Sequence, residues 1–422
     1  MSRSVGVEAF DHGSEVVARE APVERTRRRV VVLFETLGSI SQRGQVGEVG
    51  RLVRRIPVLD RLRREDVDDR LRTAGLHRAK VDDRFPTVVE VNLYRFDWLA
   101  RRVEEPVDPS RPIVDAHHHL WRHADGTYLA PELHADTSSG HNVVETVFVE
   151  CRSSYDDSMP SRLAPVGETA FVAEQAAACT AAGGPTIGAI VSFADMMLGD
   201  AVEEVLLAHE EAGGGLFRGI RHATAIDPGI GRSHTDPTEG MMGTGTFRAG
   251  AAKLGAMGHS FDAWLFHPQL GELLDMARAL PEVTIVLDHL GAPLGVGPYV
   301  GRQVEVEAAL RLALDPIADC PNVVLKLGGI GMERYFGMGW FDADAPPSSD
   351  TVVERWQDQI NWSIERFGPQ RCMFESNYPV DRESLPYTVL WNALQKIASR
   401  YTDAEQDAMF SGTARRVYRV AS

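Results

Sequence analysis

From residue 113 onward the sequence repeats one pattern eight times: a short apolar run, then a polar or helical stretch. The runs are IVDAHHH (113–119), ETVFVE (145–150), TIGAIVS (186–192), LFRGIRH (216–222), FDAWLFH (261–267), VTIVLDH (283–289), NVVLKLG (322–328) and RCMFESN (371–377). Near-continuous apolar runs of this length suit strands buried on both faces. Between them, 166–182 is Ala-rich and ends at Gly183, 201–212 ends at Gly213, and 351–367 ends at Gly368. Glycine just past a periodic segment is a helix stop. Eight strand–helix units over about 310 residues fit a (β/α)8 barrel, with a doubly wound open sheet as the alternative.

The barrel reading locates the chemistry, because active sites in such barrels lie at the C-terminal strand ends. Those ends carry His117 and His119, Glu150, Arg221 and His222, His267, Asp288 and His289, Lys326, and Glu375 and Asn377. A single strand-end histidine is commonly a satisfied core residue. Five histidines and two glutamates on one rim are hard to attribute to packing, because buried polar and charged groups are costly unless paired or bound to something. In the first run, side-chain alternation places Asp115, His117 and His119 on one face and His118 on the other. Two imidazoles at i and i+2 can reach one metal ion or one bound carboxylate. His267 precedes Pro268, which favours an extended backbone; it reads equally as a site group or a rim residue. His123, His134, His141, His209, His234 and His259 fall in loops or on helix faces and read as surface residues.

Composition removes several function classes. A net charge of −16 argues against nucleic acid or an anionic membrane as partner. No stretch approaches the length of a membrane span, and no N-terminal segment reads as a signal peptide. The four cysteines, Cys151, Cys179, Cys320 and Cys372, form no CxxC pair, which fits free thiols in a reducing cytoplasm. Residues 1–110 differ from the rest: they hold 21 Lys+Arg against 19 Asp+Glu, leaving −18 on the remainder. Segments 27–37 and 46–64 have helical periodicity, 87–93 reads as extended, and Pro106, Pro109 and Pro112 stiffen the approach to the first strand. We therefore expect a mainly helical extension over 1–110, packed on the barrel of 111–422 or on a second subunit as a homodimer.

At the level of motifs, DAHHHLW (115–121), FRGIRH (217–222), FDAWLFHPQL (261–270), VLDHLGAP (286–293), CMFESNYPVD (372–381) and SGTARRVYRV (411–420) resemble the amidohydrolase superfamily. The resemblance is to the amidohydrolase-2 branch, which includes L-fuconolactonases and 2-pyrone-4,6-dicarboxylate hydrolases. It implies a (β/α)8 barrel enzyme acting on a small molecule, often a lactone; decarboxylases and hydratases share the branch. One departure stands out. The branch usually closes strand 8 with a Ser-Asp-Trp-Pro-like segment whose aspartate binds metal or serves as base. Here it is Ser376-Asn377-Tyr378-Pro379, and an amide is no base. This departure also keeps a non-catalytic binding barrel in view.

From the resemblance, His117, His119 and His289 are the expected ligands of a divalent metal, Zn or Mn, with Glu150 or Glu375 as a further ligand. Without metal the same imidazoles would hold the carbonyl by hydrogen bonds. The proton acceptor is expected among Glu375, Glu150 and His222; Asn377, though no base, and His267, as a ligand or proton donor, are further strand-end site candidates. Arg221 and Lys326 are expected to hold an anionic group of the substrate.

Overall fold

The structure, a computed structural model, describes residues 93–123 and 126–420. The helices expected over 27–37 and 46–64, and all of the extended segment over 87–93 except Leu93, lie outside the described residues. The eight expected strands are all present: β1 (Ile113–His118), β2 (Val143–Val149), β3 (Thr186–Ser192), β4 (Phe217–Arg221), β5 (Ser260–Ala263), β6 (Ile285–Leu287), β7 (Val323–Leu327) and β8 (Cys372–Phe374). They form one parallel sheet in sequence order. Helices follow them in turn: α1 (Ala130–Thr137), α2 (Val166–Ala181), α3 (Val202–Ala212), α4 (Gly245–Ala256), α5 (Leu270–Ala279), α6 (Gln303–Ala318), α7 (Ser349–Phe367) and α8 (Tyr387–Ala398). A last helix, α9 (Thr413–Tyr418), ends the described chain. This is a (β/α)8 barrel. Its seam is closed by backbone hydrogen bonds from Asn377 N–H to His117 O (2.8 Å) and from His119 N–H to Tyr378 O (2.7 Å).

The strands are short where the runs were long. β5 stops at Ala263, β6 at Leu287 and β8 at Phe374, so His267, Asp288, His289, Glu375 and Asn377 stand past the hydrogen-bonded ladder, free to converge. α7 begins at the Ser348 cap, whose Oγ accepts from Thr351 N–H at 3.2 Å, and stops at Gly368, whose φ of 84° favours glycine. Residues 93–110, assigned to the extension by composition, pack on the barrel. Trp98 Nε1 donates to Ala343 O (2.8 Å), and the amides of Val107 and Asp108 donate to Asn392 and Gln395 of α8 (2.9 Å each). None of the described helices is long and apolar enough to cross a membrane.

Two apolar layers sandwich the strands. Large residues such as Phe148, Ile190, Phe261, Leu325 and Phe374 join the core beneath the helices. Small ones, among them Val114, Ala116, Val147, Ala189, Val286 and Val324, fill a second cluster with Tyr418 of α9. Through that cluster runs a polar column. Lys326 is fully buried, with Nζ 2.9 Å from Asp262 Oδ2 and 3.1 Å from Asp288 Oδ1. Tyr418 Oη donates to the same Asp262 oxygen (2.5 Å). Burial alone would lower the Lys326 pKa; Asp262 and Asp288 beside it raise it above the ordinary lysine value. Removing one member of such a buried group leaves charge uncompensated. Lys326→Met should therefore destabilise the fold by about 3–5 kcal/mol, read as a lowered midpoint in urea denaturation; an unchanged midpoint would count against this role.

Candidate active site

The site begins with a slip in β1. Its register against β2 shifts between Asp115 and His118, the signature of a bulge, which re-aims side chains. Asp115, His117 and His119 consequently do not share one face. The buried Asp115 carboxylate accepts from Ser376 N–H (2.8 Å) and Tyr387 Oη of α8 (3.0 Å), while His117 and His119 turn together, their Nε2 atoms 3.2 Å apart. His118 faces away, with Nε2 3.0 Å from Thr146 Oγ1.

Each of three imidazoles has an acceptor at Nδ1. His119 Nδ1 lies 2.8 Å from Val149 O, His289 Nδ1 is 2.7 Å from Glu375 Oε1, and His117 Nδ1 is 2.9 Å from Glu375 Oε2. Lys326 Nζ also lies 3.3 Å from His117 Nδ1. Its charge is already matched by two aspartates, so the nearer carboxylate sets the tautomer. All three rings then carry hydrogen at Nδ1 and keep the Nε2 lone pair. Burial, with Lys326, His289, His119 and Arg221 close by, holds His117 well below the ordinary imidazole range. Burial and Arg221 do the same to His119.

The neighbours of this cluster are themselves fixed. Asn377 Oδ1 is 3.3 Å from His119 Nε2, and its amide group donates to Asp381 Oδ1 (2.8 Å). Asp381 also takes Gly331 N–H (2.8 Å); burial pushes its carboxyl well above the usual range. Arg221 Nε donates to Glu150 Oε1 (2.8 Å), its Nη2 to Glu150 O, and its Nη1 approaches His117 Nε2 (3.3 Å). Trp121 stacks near His119 and Trp264 meets His289 edge-on, with ring centroids 6.1 and 4.9 Å apart. Glycines make the room: a Cβ on Gly328 would lie 2.3 Å from Glu375 Cγ, and one on Gly329 2.5 Å from His289 Nδ1.

The expected residues divide into two groups. His117, His119, His289, Glu375, Asn377, Arg221 and Glu150 come together. Lys326 lies beside them, but its charge and that of Arg221 are both matched by buried acids, so neither is spare for an anionic substrate group. His222 turns away: its Nδ1 accepts from Met196 N–H (3.2 Å), its ring packs on Phe193 and Phe247, and burial lowers its pKa to about 4. His267 sits in a helical turn beyond β5, its Nδ1 accepting from Leu294 N–H (3.3 Å). Of the histidines read as surface residues, His141, His209 and His259 are buried. His234 reaches Glu150 Oε2 at 3.2 Å, a contact no local sequence pattern signals.

These atoms fit a divalent cation. His117, His289 and Glu375 offer ligand atoms within 4.8 Å of one another, but the Glu375 contacts of 2.7 and 2.9 Å are those of a carboxylate orienting rings. Such a carboxylate partner is the usual support of metal-binding histidines. Two neutral Nε2 lone pairs and an amide oxygen face one another instead, with Arg221 Nη1 donating at one side, an acceptor cluster that a cation between them would satisfy. Imidazole nitrogen with oxygen suits Zn or Mn.

A (β/α)8 barrel with an oriented imidazole cluster at its C-terminal rim defines a barrel enzyme. The chain belongs to the amidohydrolase family, whose model matches residues 114–420, and is an enzyme of the hydrolase type. It is 29% identical over 331 residues to the uncharacterised protein y4mH of Sinorhizobium fredii, covering 73% of this chain and 98% of that one. It is 27% identical over 324 residues to an L-fucono-1,5-lactonase of Burkholderia multivorans, covering 72% and 95%. A solved amidohydrolase of Burkholderia multivorans with bound zinc superposes with a TM-score of 0.58 at 24% identity, over 73% of this chain and 99% of that one.

Two tests follow from the geometry. Gly329→Ala should displace the His289 ring and lower turnover at least about 10-fold, in line with the sensitivity of active sites to ångström-scale misplacement, with the fold retained by circular dichroism. The second concerns Glu168 of α2, which accepts from Ser153 N–H (2.7 Å) and Cys151 N–H (3.2 Å) just beyond Glu150. Burial, with Glu150 nearby, pushes its carboxyl up to about 8. The folded state thus binds this proton more tightly than the unfolded chain. Its contribution to stability is full below the ordinary 4.5 and is lost as pH rises through about 8. Glu168→Gln should flatten that loss in urea denaturation on either side of this window.

Proposed function

We propose that the chain hydrolyses a small neutral lactone of the sugar-acid type, at a carbonyl placed beside the cluster of His117, His119 and Asn377. The observation that carries this reading is the tautomer of the imidazoles: Nδ1 engaged with an acceptor, and the Nε2 atoms of His117 and His119 facing each other at 3.2 Å. The relative named L-fucono-1,5-lactonase supports the substrate class. The charge balance supports a neutral substrate. Two cations, Arg221 and Lys326, stand against Glu150, Asp262, Asp288 and Glu375, so neither side chain is spare for a carboxylate or phosphate.

His117, His119 and Asn377 Oδ1, with His289 beside them, would hold a divalent metal; a solved amidohydrolase of the same fold has zinc bound. When bound, such an ion supplies carbonyl polarisation and lowers the pKa of water to ~7. The chain's own residues supply the rest. Glu375 holds two rings at once. Asp381 fixes Asn377 so that its oxygen, not its amide nitrogen, faces His119. Arg221 Nη1, 3.3 Å from His117 Nε2, is near enough to donate instead to the oxygen that gains charge as the carbonyl is attacked. Trp121 and Trp264 wall the cluster and limit water. A lactone suits this equipment, because its leaving group is an alkoxide or enolate, easier to expel than an amine.

Hydrolysis of L-fucono-1,5-lactone and related sugar lactones, followed by acid release, tests the reading. His117→Ala and Glu375→Gln should each lower kcat/KM by at least about 100-fold, the scale for losing a preorganised group. Stoichiometric Zn or Mn by elemental analysis of the wild type, lost in His117→Ala, would support the metal site. Release of carbon dioxide from an acid panel with no lactone turnover would overturn the substrate class.

A further inference from the structure

The groups expected from the sequence to accept the catalytic proton are committed elsewhere. Glu375 serves two histidines. Glu150 is taken by Arg221 and His234. His222 is packed between phenylalanines with its Nδ1 engaged. Asn377 has no basic atom of use. A hydrolase at this site therefore needs another base.

His234 meets the requirement. It lies in the segment after β4, where Ser233 Oγ donates to Ala223 O (3.1 Å), Thr235 Oγ1 donates to the same oxygen, and Arg152 donates to His234 O (3.2 Å). Its side chain is 35% exposed while Glu150 is fully buried, so the ring spans from the buried cluster to solvent. Nε2 is 3.2 Å from Glu150 Oε2. An ionised carboxylate only accepts, so Nε2 carries the proton and Nδ1 keeps its lone pair. Burial alone would raise the Glu150 pKa, but Arg221 and His234 hold it well below the ordinary carboxylate range. The ionisable groups around His234 are Glu150, Arg221, Arg152 and His222.

We propose that Glu150 and His234 form a carboxylate–imidazole dyad, and that His234 Nδ1 is the general base of the hydrolysis. The proposal rests on the lactonase reading above. His234 Nδ1 takes one proton from water as its oxygen bonds to the lactone carbonyl carbon. Collapse then breaks the bond from that carbon to the ring oxygen, and the same proton passes from Nδ1 to the departing oxygen. The second water proton leaves with the product carboxylic acid. Glu150 stays ionised throughout, holding the tautomer, as the acid does in a Ser-His-Asp triad.

The test compares wild type, His234→Ala and His234→Gln on L-fucono-1,5-lactone. Both variants should lose about 10²–10⁴-fold in kcat, the usual worth of general base catalysis, with KM little changed. Added imidazole should restore part of the activity of His234→Ala. His234→Gln keeps a donor for Glu150, so wild-type kcat in that variant would reduce His234 to a positioning role and overturn the proposal. Wild-type kcat in both variants would overturn it too. If the wild type hydrolyses no lactone, the lactonase reading fails separately, and ¹⁵N shifts of His234 decide the dyad. Hydrogen at Nε2, lost in Glu150→Gln, supports it; hydrogen at Nδ1 overturns it.

Discussion

Two buried cations hold the inside of this barrel in order. Lys326 lies between Asp262 and Asp288, and Arg221 is bound to Glu150 with Asp288 3.9 Å away. Buried charge is costly alone, and the attraction offsets that cost only when geometry and hydrogen bonds are good. The arrangement fixes more than charge. Both cations approach His117, one at each ring nitrogen, and together with burial they keep it neutral. A neutral ring whose Nε2 keeps its lone pair can take a cation or an N–H or O–H donor. The reactivity of the upper cluster thus depends on the column beneath it, and Asp288, 3.1 Å from Lys326 and 3.9 Å from Arg221, couples the two layers.

Asn377 shows how one substitution can be absorbed locally. An aspartate there would put a second buried carboxylate beside Asp381. The amide instead donates to Asp381 and turns its oxygen toward His119. The acid lies one turn further along, and its carboxyl is protonated more readily than usual. What the position keeps is an oxygen aimed at the imidazole; what it gives up is a negative charge in a site already rich in acids.

The eight strands were legible because a barrel strand is buried on both faces and its apolar run needs no partner to be recognised. Which strand-end residue points inward was less legible. Arg221 and His222 are adjacent and therefore face opposite ways, and the sequence alone does not say which is inside. The bulge in β1 broke the alternation that would have grouped Asp115 with His117. His267 lies past a strand that stops four residues earlier. Loop histidines were the hardest. His209 is buried because Thr169 and Phe193 O satisfy it, and His234 turns its Nε2 to Glu150. Those partners are distant in sequence and leave no periodic mark.

The closing seam has a kinetic meaning. His117 and Asn377 come from opposite ends of the barrel domain, yet their backbone bonds shut the sheet and their side chains share one cluster. Strands and helices can form from local contacts, but this junction must wait until 259 intervening residues are in place. Closing so long a loop carries an entropic cost that local contacts do not repay. Competence for chemistry should therefore be the last property the newly made chain acquires, and a chain stopped short of β8 would have most of its architecture and no reaction centre.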